Sequence, residues 1–145
     1  MEEYYEFQIV IDQIYKFMND EMKVNYETLK IDVILSTQII KKESRWDNKI
    51  FLIGLALLKK MYNKPCKKGC LFCCSNKFQK YWLEAYIIAL MISQKMYDDF
   101  SINNKKILYI YGKLNRKFYL DLEIINQNEL YFMKHLDWNL TVSLY

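Results

Sequence analysis

The sequence predicts an all-α fold, and three observations carry that prediction. Only three Gly and one Pro occur in 145 residues, too few for the turns of a sandwich or barrel. Apolar residues recur at helical spacing in several long segments. Hydrophobic residues make up 52% and aromatics 17%. That is enough apolar material for one domain with a core, and it is unlike a disordered chain.

Six helical segments follow along the chain. Residues 3–19 carry Tyr5, Ile9, Ile11, Ile14, Tyr15 and Met18, an amphipathic pattern. Residues 26–42 carry Leu29, Ile31, Val33, Ile34 and Ile39. Residues 46–62 are nearly all apolar from Ile50 to Leu58, so this helix should be buried on most sides. A loop over 63–76 holds the only proline, Pro65. Residues 77–97 form the next helix. A short helix covers 103–111, with Gly112 as its stop. The last helix runs over 122–136, where Asp121 can cap the first turn. Many helices joined by short loops make an all-α bundle.

Two charged residues stand out against this pattern. In YWLEAYIIALMISQKMYDD, Ile88, Met91 and Ile92 lead along one stripe to Lys95. In DLEIINQNELYFMKHLDWNL, Leu122, Ile125, Phe132 and Leu136 mark a stripe that contains Glu129. A lone charge buried on such a face is costly. Two opposite charges, one per helix, are expected to pair with each other at a functional surface. The plainer alternative is a Lys that snorkels to water and a Glu that flanks the core.

The words around these residues resemble the cyclin box. ALMISQKMYDD at 89–99 looks like the third box helix, where an apolar run ends in a Lys and then an acidic pair. LEIINQNELYFM at 122–133 resembles the fifth, with Asn126, Glu129, Phe132 and Met133 in the pattern N-x-x-E-x-x-F followed by an apolar residue. LDWNLTVS at 136–143 looks like the strand-like exit of that helix. DDFSINNK at 98–105 is similar to a stretch of the P-type, phosphate-regulon class of cyclins, with cyclin Y a relative in the same style. The resemblance covers about 89–143. Asn128 departs from it, since the family usually has Leu there. The segment 105–121 is also longer than the usual link.

That resemblance implies a single cyclin box of five helices over 26–143, preceded by an N-terminal helix within 1–25. It implies a regulatory subunit and not an enzyme. A cyclin binds a cyclin-dependent kinase and repositions the kinase's αC helix, and the kinase performs the phosphoryl transfer. Lys95 and Glu129 match the pair that hydrogen-bonds kinase backbone just before that helix. Met133 matches an apolar contact to it. Trp138 and Leu140 match the positions that close the groove. The alternative is a cyclin-box adaptor that binds another protein or nucleic acid without activating a kinase.

The remaining signals add little chemistry. Cys66, Cys70, Cys73 and Cys74 lie in CKKGCLFCC. Four thiolates could hold zinc, but adjacent Cys73 and Cys74 are hard to bring onto one ion, and reduced thiols are the favoured reading. The C-x3-C-x2-C spacing also occurs in radical enzymes with iron-sulfur clusters, whose barrel needs a longer chain and many strands. No cofactor is implied. There is no Gly-rich phosphate loop, no H-E-x-x-H and no G-x-S-x-G. The net charge of +4 does not by itself imply nucleic acid. Lysines cluster at 59–68 and, with Arg116, at 105–117. They read as solvated loops, or as a site for an acidic partner segment or a phosphorylated peptide. MEEYYE is no signal-peptide start, and FLIGLALL and AYIIALMI are too short to span a bilayer. No membrane partner is expected, and the address is the nucleus, the cytoplasm or both.

Overall fold

The structure, a computed structural model, describes residues 2–64, 80–98, 101–114 and 120–142. Six α-helices lie among them, and no strand does. They are α1 (Glu2–Lys16), α2 (Leu29–Ser44), α3 (Asn48–Asn63), α4 (Trp82–Tyr97), α5 (Asn104–Gly112) and α6 (Leu122–His135). The cysteine loop lies outside the described residues.

The fold is built around α4. Thirteen consecutive residues, Trp82 to Gln94, are buried. A helix apolar on every side has no solvent face and must sit inside the others. α3 packs along it most extensively, α6 covers another side, and α5 bridges α2 and α6. α1 lies across α2 and α3. Two α4 side chains tie it to the start of α3. The Tyr86 hydroxyl donates to Phe51 O at 2.9 Å, and the Ser93 hydroxyl donates to Ile50 O at 2.9 Å. Gly54 sets how closely the two helices approach: a Cβ there would lie 2.8 Å from Leu90 Cδ2.

The amphipathic helices bury the faces that helical spacing dictates. α1 buries Phe7, Val10, Ile11 and Ile14, a stripe at three- and four-residue steps. It passes into a π-helical turn, Phe17–Glu21, in which the Met22 N–H reaches Phe17 O at 3.0 Å. The wider turn keeps Phe17, Met18 and Met22 all in the core. α2 buries Leu29, Val33, Thr37 and Ile40. Thr37 belongs to this stripe because its hydroxyl returns to Val33 O at 2.6 Å, so no polar atom is left bare. Ile9 and Ile31, expected among the apolar positions, point to solvent instead. Each lies 100° or more around its helix from the nearest residue of the buried stripe.

The helix ends bear out one further expectation and correct another. α5 does stop at Gly112, but Gly112 is not left-handed. The end is closed by ordinary turns, with Lys113 N–H on Ile110 O and Leu114 N–H on Tyr111 O. The exit from α6 is a turn followed by irregular chain to Val142, not a strand.

Candidate functional site

The buried run of α4 stops at Gln94, and the next residue, Lys95, faces out. Its ammonium lies 2.9 Å from Glu129 Oε2 and 3.1 Å from Oε1. The two charges expected to pair therefore do so, across the ends of α4 and the middle of α6. Lys95 is 37% exposed and Glu129 13%. A half-open pair of this kind contributes about 0–1 kcal/mol to folding. It also keeps chemical capacity. An ammonium has three donors, of which two are used here, and a carboxylate has lone pairs beyond those Lys95 takes. The pair thus offers a donor and an acceptor side by side, the set that an extended backbone presents in return.

Local sequence places Glu129 at this edge. Asp121 caps α6, its Oδ1 accepting the Ile124 N–H at 2.8 Å. From that start, Ile125, Asn128 and Phe132 turn into the core. Leu122, Asn126, Glu129 and Met133, spaced four, three and four apart, run along one side of the helix. Asn128, not Glu129, is the deeply buried polar residue of this stripe. Its Oδ1 accepts no hydrogen bond from any described residue.

After α6 the chain turns sharply. Asp137 N–H bonds Lys134 O and Trp138 N–H bonds Met133 O, both at 2.9 Å. This is the paired closure of a Schellman motif. Asp137 (φ 52°) and Trp138 (φ 62°) are both left-handed without being glycine, a conformation that costs about 1–2 kcal/mol per residue. Trp138 is left 57% exposed, whereas Leu140 packs on the core. The Lys60 ammonium holds this tail, donating to Asn139 O at 2.6 Å and Thr141 O at 3.0 Å. Of the five expected site residues, Lys95 and Glu129 form one unit. Met133 lies one turn further along the same side of α6. Trp138 and Leu140 follow it with opposite orientations.

A cleft of about 550 Å³ opens beside Lys95, walled by residues 101–105, Leu122 and Asn126. Sequence reasoning did not find it. Four hydrogen bonds hold its walls. The fully buried Gln94 donates Nε2–H to Ile102 O at 2.9 Å and accepts the Ile102 N–H on Oε1 at 2.8 Å. Asn103 caps α5 by accepting the Lys106 N–H at 3.0 Å. Asn104 Nδ2 donates to Asn126 Oδ1 at 2.5 Å. The asparagine pair at 103–104 was the available signal, since one caps a helix and the next can reach a neighbouring one.

Lys67, Lys68, Arg116 and Lys117 lie outside the described residues; the described lysines of the two clusters divide into spent and unspent charges. Lys60 and Lys64 secure the tail, the latter by an ion pair with Asp137. Lys106 and Lys113 lie over the exposed Tyr109 ring, 4.5 and 4.9 Å from its centroid. Hydrogen bonds to Tyr109 and Glu43 also hold the Lys113 ammonium above its ordinary range. Lys105 is exposed and makes no ion pair or hydrogen bond with a described residue. Among the described residues no group of three His, Cys, Asp or Glu side chains is placed to hold a metal. His135, the one histidine, is half-buried on α6. No described helix is long and apolar enough to cross a membrane. No protein-family model, curated protein or solved structure matches the chain.

Proposed function

We propose that this protein is a cyclin-like regulatory subunit that binds a cyclin-dependent protein kinase through Lys95, Glu129 and Met133. The observation that carries the reading is the Lys95–Glu129 pair, joined across two helices and half-open to solvent. A pair worth little to folding has its use in what it presents, a donor beside an acceptor for partner backbone. The central α4, buried from Trp82 to Gln94, supports the same reading, because a cyclin box wraps its other helices around its third. Trp138, held outward by a strained turn, adds an aromatic anchor of the kind that dominates protein interfaces.

In this account the chain performs no chemistry itself. It binds the active arrangement of the kinase better than the inactive one, and so shifts the population toward it. The nucleus, the cytoplasm or both are its proposed location. A second reading, an adaptor without a kinase, draws on the exposed Lys106–Tyr109–Lys113 face of α5, since cations beside an aromatic suit an anionic partner.

Affinity capture from the protein's own cell extract tests the proposal. Wild type is run beside the Lys95→Ala/Glu129→Ala double variant, and captured kinase activity is assayed. A protein kinase held by wild type and lost by the variant is the expected result. A partner held equally by both, with no kinase present, favours the adaptor.

A further inference from the structure

We infer that the cleft beside Lys95 receives an extended acidic segment of the protein that docks on Lys95 and Glu129. The inference rests on the reading of that pair as a docking surface and names what lies next to it. Leu122 and Asn126 line the cleft, and Glu129 and Met133 continue the same side of α6. A chain laid along this side runs from the pair into the cleft without leaving the surface.

The lining chooses the chemistry of the occupant. Among the described lining residues the two charged ones are Lys95 and Lys105, and none is a carboxylate. Glu129 already balances Lys95, so Lys105 is the uncompensated charge. Lys105 and Lys106 also stand in the first turn of α5, where the helix dipole disfavours cations and favours an anion. Lys106 is accounted for by the Tyr109 ring beneath it, but helix stability does not explain Lys105, and a carboxylate entering the cleft would satisfy both that lysine and the dipole. The rest of the polar lining is hydroxyl and carboxamide, from Ser101, Asn103, Asn104 and Asn126, groups that both donate and accept. They suit the backbone of an extended segment. The walls are fixed beforehand by Gln94 on Ile102 and by Asn104 on Asn126, so binding pays little to order them.

The test uses the full chain, uniformly ¹⁵N-labelled, and two blocked octapeptides. One alternates Glu and Ser; the other has Lys in place of Glu. With the acidic peptide, the amide signals of Ser101 to Lys105 and the Asn126 side chain shift. With the basic peptide they do not. Lys105→Glu weakens the acidic peptide by about tenfold or more, and Lys105→Ala by less. Both variants keep the wild-type spectrum elsewhere, because Lys105 has no bonded partner to lose among the described residues. The inference is overturned if the cleft signals stay fixed at about 1 mM peptide. It is equally overturned if shifts gather on the Lys106–Lys113 face and survive Lys105→Glu. No kinase enters this titration. Its failure leaves the kinase reading standing, and a failed kinase capture leaves the titration to be judged alone.

Discussion

Gln94 and Ile102 bond each other twice, amide to backbone, at 2.8 and 2.9 Å. Gln94 ends the buried run of α4, and Ile102 begins the approach to α5. One side chain therefore fixes the chain that walls the cleft, and the residue after it, Lys95, carries the surface pair. Gln94→Leu leaves the N–H and C=O of Ile102 without their partner. It should cost about 1–3 kcal/mol, read by chemical denaturation. Amide exchange at Ile102 should quicken while exchange in α3 keeps pace with global stability alone. Equal quickening everywhere would show that Gln94 serves only the core.

Tyr86 predicts a pH dependence. Its buried hydroxyl donates to Phe51 O, and burial raises its pKa well above the ordinary 10.0. The folded protein keeps the phenol neutral where the unfolded chain has begun to ionise. Its stabilisation is complete below pH 10 and falls away as pH climbs toward the folded-state pKa. Tyr86→Phe should cost about 1 kcal/mol at pH 7. The gap between the two proteins should narrow above pH 10, measured by urea midpoints across that range. A gap that stays constant would contradict the account.

Asn128 is a buried amide with an unsatisfied oxygen on the core face of α6. Leaving such a group unpaired costs about 1–3 kcal/mol. Asn128→Leu should raise the thermal midpoint by several degrees, with kinase capture unchanged, because the residue faces away from Glu129. A lower midpoint would mean that the extra volume strains the packing more than the amide does.

The architecture was legible because helical periodicity survives in every segment. All six expected helices are present, and Asp121 caps α6 as its position before LEIINQN suggested. The Lys95–Glu129 pairing was legible for a simple reason: two opposite charges on apolar stripes have little else to do. Finer placement was not. Asn128 and Glu129 are neighbours 100° apart on a helix, and spacing alone did not say which of them goes in. Gln94 reads as a break in an apolar run until its partner, eight residues on, is known. The outward Trp138 depends on two successive left-handed residues, with no glycine to announce them. Ile9 and Ile31 counted as apolar by type, yet their angular position put them outside.

The central claim is that Lys95 and Glu129 serve a partner more than the fold. The direct measurement compares two quantities in Lys95→Ala, Glu129→Ala and wild type: the free energy of unfolding, and the affinity for the captured kinase. The account predicts that unfolding changes by no more than about 1 kcal/mol, while binding weakens by about 2–5 kcal/mol in either variant. Kinase affinity left intact in both variants would contradict it.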